Sequence, residues 1–265
     1  MVKLIRKHIV RPYLYYQMIT TGTLRHFRGY IVDKPGHLRD AKRLHADVYL
    51  GRGFIEDHHV DKAGAISLEA DPHQQHSQYF VACEEVGKKE IVRVTARQIR
   101  AKKERGFDSF PILRHAHIYP EMRQRVYKFK PENCVEISGL AKQRGTTTVA
   151  TLIVYRMMWF ESLRRGDKLW LMACSPSLFQ RLKQLFGPNV VQMGERTPYV
   201  GEDVIPAMVV IDEALYYLHK NAQTLHPTKR LLYRAVLRFF TDGLPVENFS
   251  SSKRARLRAD EKNAR

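Results

Sequence analysis

The chain is short of acid and of cysteine. Against 45 Lys and Arg it sets only 27 Asp and Glu, a formal net charge of +18 over 265 residues. Its three cysteines, Cys83, Cys134 and Cys174, are scattered singly. That excludes a disulfide framework or a Cys-x-x-Cys metal site and agrees with a reducing compartment. Long apolar runs are missing too. Arg156 interrupts the longest, and Arg93 and Arg97 the next, so none approaches the roughly 20 residues that a bilayer-spanning helix needs. The opening stretch MVKLIRKHIVRPYLYY carries basic residues inside its apolar run and no small-residue cleavage site, so it does not read as a secretory signal. The expectation is a cytoplasmic protein without a membrane span. A Walker sequence, zinc-finger spacing and an RNP-like aromatic cluster are absent as well, which leaves the charge without a dedicated nucleic-acid module.

What remains is a chain that is 44% hydrophobic, enough for a substantial core. Its charge calls for an anionic partner, and nucleic acid, an anionic membrane surface, a phosphate-bearing cofactor and an acidic protein all satisfy it. Residues 1–23, basic and aromatic, read as an N-terminal arm. Residues 24–245 read as one α/β domain, and residues 246–265, with few hydrophobics and many charges, as a disordered basic tail.

Within the domain, apolar residues at three- and four-residue steps from Leu38 to Leu50 predict an amphipathic helix with His45 and Tyr49 one turn apart. Two strand-like runs, Gln78 to Cys83 and Glu90 to Ile99, flank a charged turn at Gly87 and predict an antiparallel hairpin. In the second run a period of two puts Ile91, Arg93, Thr95 and Arg97 on one face and Val92, Val94 and Ala96 on the other. His58, His59, His73 and His76, with Asp57, Asp61, Glu69 and Asp71, match no zinc or di-metal spacing, so no metal site is expected. Pro206 inside the apolar run Val204 to Ile211 predicts an edge strand or a bulge.

The centre of the chain is Cys134 to Leu163. An apolar strand, Cys134 to Ile137, enters a turn over Gly139 to Gly145. Thr146 to Thr148 then offer capping oxygens to a long apolar helix. The free N–H groups of such a helix start suit a phosphate-bearing ligand. Lys168 to Cys174 follows as a buried strand. The next helix is capped by Ser175, carries the stripe Leu178, Phe179, Leu182, Leu185 and Phe186, and is stopped by Gly187-Pro188.

These pieces together resemble the GNAT-like N-acyltransferases of the N-acyl amino acid synthase and acyl-homoserine lactone synthase group. The likeness rests on His45 and Tyr49 at the spacing of that group's Arg and aromatic, and on Glu69, Asp71 and Gln74 in its acidic loop. It also rests on Ala96-Arg97 at the end of the next strand and on Glu136, Ile137, Ser138 and Gly139 in its Glu-x-Ser-Arg strand. It spans Leu38 to Ile211 and departs at three positions, with His45 and Gly139 standing for Arg and Gln74 for Asp. The resemblance implies a GNAT-like α/β fold, with a central mixed, mostly antiparallel sheet flanked by helices. It also implies transfer of a fatty acyl group from an acyl-carrier-protein or coenzyme A thioester to the amine of an amino acid or similar small acceptor.

In that scheme Glu136 and Ser138 are catalytic. His45, Tyr49, Glu69, Asp71 and Arg97 bind the acceptor, and Lys142, Arg144, Gly145 and Thr146 meet the phosphopantetheine of the donor. No cofactor is tightly bound. An acidic acyl carrier protein would be steered by Arg100, Lys102, Lys103 and Arg105 or by Arg164, Arg165 and Lys168. Met157, Met158, Trp159 and Phe160 line an acyl tunnel or belong to ordinary core. Glu136 has an alternative role as a buried carboxylate paired with Arg97. Two competing functions remain at this point: a basic nucleic-acid-binding protein, and an acyltransferase fold kept for ligand binding alone.

Overall fold

Alternating apolar residues build the two longest strands, and their pairing sets the sheet. The computed structural model describes residues 27–199, 201–223 and 226–241, so the expected arm and basic tail lie outside the described residues. Strands β2 (Ser77–Val86) and β3 (Lys89–Arg100) form the expected hairpin, and β1 (Phe27–Ile31) adds to the outer edge of β2. On the other side of β3 lies β4 (Cys134–Lys142), antiparallel to it, and then β5 (Leu169–Cys174), parallel to β4. β8 (Glu202–Val210) pairs with β5 and carries the short strands β6 (Val190–Gln192) and β7 (Thr197–Tyr199) on its far side. The sheet is therefore mixed and mostly antiparallel, in the order β1-β2-β3-β4-β5-β8-β6.

Helices cover both faces. On one face, α1 (Pro35–Leu50) packs Ala41 against Tyr79, Val81, Cys83 and Val92. Beside it, the short helices α2 (Pro111–His115) and α3 (Pro120–Val126) pack Ile112, Leu113 and Val126 on Cys134, Leu169, Leu171 and Met208. The opposite face is covered by α4 (Thr148–Arg165), α5 (Pro176–Phe186), α6 (Ile211–Ala222) and α7 (Pro227–Thr241), which share the largest core with Val94, Ala96, Val135, Trp170 and Val209. Each large apolar side chain fully buried there, such as Trp159 or Met158, contributes about 1.5–3 kcal/mol. The predicted caps are in place. Thr147 accepts from the Val149 N–H and Ser175 from the Leu178 N–H, while left-handed Gly166 ends α4.

Three local expectations are corrected. First, Val92 does not share a face with Val94 and Ala96. The β2 register steps from Ala82↔Val94 to Cys83↔Val92, so Arg93 is a bulged residue and the alternation reverses across it. Second, Gly139 to Lys142 belongs to β4 rather than to a turn. Thr95 and Arg97 face Ala141 and Ser138, so β4 carries one extra residue, and Gly139 takes φ +62° in that bulge. Third, β8 is an interior strand, so the edge alternative for Pro206 is overturned, while the change of register between β6 and β7 opposite it agrees with the bulge alternative. Pro206 pairs with Ala173 of β5, and on its other side it falls between β6 and β7, where only its carbonyl is used, by the Met193 N–H at 2.8 Å. The missing N–H of proline thus faces a gap in the ladder.

A Cβ at Gly139 would lie 3.1 Å from the His45 ring and 3.3 Å from Arg97, on a backbone that L-residues adopt reluctantly. Gly139→Ala is therefore expected to cost about 1–3 kcal/mol, measured by denaturant unfolding; an unchanged midpoint would refute the bulge geometry.

Candidate active site

β4 and β5 are parallel neighbours only from Cys134↔Leu169 to Ile137↔Met172. Beyond that, Ala173 and Cys174 continue to pair with β8, and β4 continues beside β3, so the two strands part. A cavity of about 940 Å³ occupies the opening. Side chains of both sheet faces line it, Glu136 and Ser138 on one and Ile137, Trp170 and Met172 on the other, so it runs through the sheet.

Its polar half is assembled from five segments. α1 contributes His45 and Tyr49, whose rings meet edge to face at 4.2 Å. The loop before β2 contributes Asp71, β3 contributes Arg97, β4 contributes Glu136 and Ser138, and β7 contributes Tyr199. Ser138 lies directly across from Arg97 in the β3–β4 register. Arg97 and Asp71 are both buried and form a two-pronged ion pair, Nη1 to Oδ2 at 2.5 Å and Nη2 to Oδ1 at 3.2 Å. Burial, the largest single influence, opposes the guanidinium charge, but Asp71 and Tyr79 together outweigh it and raise the Arg97 pKa further.

That pairing leaves Glu136 without an ion-pair partner among the described residues, which corrects the alternative of a Glu136–Arg97 salt bridge. Glu136 is 1% exposed, and one carboxylate oxygen accepts the Ile112 N–H of α2 at 3.0 Å. Burial pushes its pKa up to about 8, against the smaller opposing effects of that N–H and of Arg97. Tyr199 is held protonated by burial and by the nearby Glu136. His45 is likewise neutral. Burial first, and then Arg97, bring its pKa down to about 3, and its Nε2 has no partner among the described residues.

The three departures from the resemblance have local causes. Gln74 donates its amide to the Ile66 carbonyl at 2.5 Å, a bond that a carboxylate cannot make. Gly139 is required by its positive φ, and His45 fills the space beside it.

Of the other sequence candidates, Lys142 lines the cavity. Arg144, Gly145 and Thr146 do not, and Glu69 is exposed outside it. Several of the basic residues expected to meet a carrier protein are engaged internally: Arg100 with Asp167, Arg164 with Glu161, and Lys168 with Asp212. Lys103 and Arg105 are exposed.

The apolar half of the cavity is lined by Leu152 and Tyr155 of α4 and by Leu178, Leu182 and Leu185 of α5. Met158 and Trp159 are core rather than lining. Sequence reading missed Tyr199, which sits on a three-residue strand without a period, and also Arg52, Arg114 and His115 at the polar end. The three cysteines are buried, and desolvation pushes each thiol up to about 12, so none is primed as a nucleophile. Among the described residues no helix is long and apolar enough to cross a membrane.

This architecture is the GNAT-like acyltransferase fold, in the form shared by N-acyl amino acid synthases and acyl-homoserine lactone synthases. FeeM, an N-acyl amino acid synthase from uncultured soil microbes, superposes with a TM-score of 0.52 at 15% identity, over 72% of this chain and 94% of that one. The acyl-homoserine lactone synthase LasI gives 0.52 at 16% identity over 70% and 90% of the two chains. The CoA-dependent acyl-homoserine lactone synthase BjaI gives 0.51 at 14% identity over 88% and 99%. At these identities the likeness is one of fold. No family model matches the chain, and no curated protein matches its sequence.

Two stability predictions follow from the charges. Free glutamate ionises near 4.5, whereas buried Glu136 keeps its proton to about 8. Between those values the folded state holds a proton that the unfolded state has lost, so this residue's contribution to stability falls as pH rises and levels off above 8. The uncharged amide of Glu136→Gln should match wild type at pH 5 and exceed it by a few kcal/mol at pH 8, at about 1.4 kcal/mol per unit. A pH-independent difference in unfolding free energy would contradict this. Asp71→Asn, which strands the buried guanidinium of Arg97, should cost about 3–5 kcal/mol in the same assay.

Proposed function

We propose that the protein is an N-acyltransferase that moves a fatty acyl group from a phosphopantetheine thioester, on acyl carrier protein or coenzyme A, to the amine of an amino acid or similar small acceptor. The observation that carries this reading is a buried carboxylate without a cation partner, Glu136, in the wall of a cavity that joins a polar chamber to an apolar one through the parting of β4 and β5. An aminolysis site needs these elements: a base tuned toward neutrality, a place for an acyl chain and a place for a polar amine.

In this scheme the thioester carbonyl lies in the gap beside Ser138, and the acyl chain enters the chamber between α4 and α5. The acceptor occupies the half lined by His45, Tyr49, Asp71 and Arg97. The amine nitrogen bonds to the carbonyl carbon and the carbon–sulfur bond breaks. Ionised Glu136 takes the amine proton, directly or through one water, and the pantetheine thiolate takes up a proton as it leaves. The protonated Tyr199 phenol lines the same cavity and feels the Glu136 charge, so it can donate to the charge that develops on oxygen or sulfur. Inert cysteines support direct transfer over an acyl-enzyme. The acceptor half holds one guanidinium–carboxylate pair, which favours an amino acid over a cationic acceptor such as S-adenosylmethionine. Lys142 at the rim and exposed Lys103 and Arg105 support an anionic donor or carrier.

Purified protein given acyl-carrier and coenzyme A thioesters with a panel of amino acids should release thiol and form N-acyl product; silence across the whole panel refutes the proposal. Glu136→Gln should lower turnover about 100-fold or more, the range of a general base. With a pKa of about 8, only about a tenth of Glu136 is ionised at pH 7, so kcat/KM should climb with pH up to about 8.

A further inference from the structure

The apolar half of the cavity has an aromatic corner. Phe186 of α5 and Phe240 of α7 both line it. Behind them stands Trp159 of α4, fully buried, its ring parallel to Phe186 at 5.3 Å and tilted on Phe240 at 5.1 Å. The two phenylalanines touch at 5.5 Å, and Phe239 packs edge to face on Phe240 at 4.9 Å. Phe240 is 4% exposed and Phe186 2%. Three helices thus interlock their rings at this one point, and rings held from several sides cannot swing aside without opening the core. Elsewhere the chamber wall is mostly aliphatic, with Leu152, Leu178, Leu182 and Leu185 beside the rings of Tyr155 and Trp170.

We propose that Phe240, braced by Phe186 and Trp159, is the stop that sets the greatest length of straight aliphatic acyl chain the protein accepts. This rests on the acyl-transfer reading above for the orientation of the chain, with its carbonyl at Glu136 and its methyl end toward α7. Each methylene that fits gains about fourfold in affinity, the equivalent of about 0.8 kcal/mol. The first that does not fit must displace a packed ring.

The test is a calorimetric titration of wild type with a ladder of straight-chain acyl-N-acetylcysteamine thioesters, repeated on Phe240→Ala, Phe240→Trp and the exposed-surface control Leu231→Ala. Wild-type affinity should rise by about fourfold per methylene and then fall sharply at one length. Phe240→Ala should move that limit up by at least two carbons, Phe240→Trp should move it down, and Leu231→Ala should leave it in place. If Phe240→Ala does not fold, as its melting curve would show, Phe240→Trp and a milder Phe240→Leu carry the comparison. A wild-type affinity that rises without limit overturns the inference, as does a limit unmoved in folded variants or an equal loss for all lengths. A limit that Phe240 controls, in a protein that acylates no amine, upholds the stop and refutes the acyl-transfer reading. Turnover indifferent to chain length does the reverse.

Discussion

The site exists because two parallel strands stop pairing. A continuous β4–β5 ladder would close the middle of the sheet and leave its faces as two separate cores. Pairing instead ends at Ile137↔Met172, while each strand stays held on its other side, β4 by β3 and β5 by β8. The opening is therefore rigid, because its margins are fixed by ladders that continue past it. The bulge at Gly139 falls on this margin. One extra residue there turns β4 while Ser138 stays opposite Arg97, and the side chains of both faces come to look into one space.

The second constraint is the division of charge around that space. One guanidinium and two carboxylates are buried within reach of one another, and the two-pronged geometry gives the guanidinium to Asp71. Glu136 is left with a single backbone N–H, and desolvation then dominates its titration. Were Arg97 paired with Glu136, the carboxylate would be held low and would be a weak base. The protein loses stability between about pH 4.5 and 8 by this arrangement, and a residue that costs stability where it sits is a better candidate for chemistry than one that adds to it.

Much of the framework was legible because local signals and tertiary demands agree. The hairpin, α1, the Thr147 and Ser175 caps, the α5 stripe and the Gly187 stop all follow from period and capping chemistry, and each stands where that chemistry puts it. The errors lie at bulges. A period of two has no means of signalling an added residue, so Val92 was placed with Val94, and the end of β4 was read as a turn. Pro206 was read as an edge or a bulge; the edge alternative failed because a period of two does not show that the preceding short strands leave a gap opposite it. In the site, the spacing of His45 and Tyr49 on a helix and of Glu136 and Ser138 on a strand was legible, and all four side chains line the cavity. Tyr199 escaped because three residues carry no period. The aliphatic chamber escaped for a different reason, since Leu178, Leu182 and Leu185 form the same stripe whether they face a packed core or a cavity.

The three departures from the pattern that the sequence resembles are better understood as one rearrangement than as three losses. An arginine at each of positions 45 and 139 would put three guanidiniums beside Asp71, a charge that would call for another acid, such as one at position 74. Here the chain removes both extra cations and the extra acid together. Neutral His45 packs into the space that a side chain at position 139 would claim, and Gln74 turns its amide to the Ile66 carbonyl. The remaining pair, Arg97 and Asp71, meets in a two-pronged contact that uses both carboxylate oxygens, which gives the polar half a fixed centre without the wider network. On the acyl-transfer reading proposed above, a site simplified in this way would keep Glu136 as base and the passage for the acyl chain, and the change would fall on which amine is held.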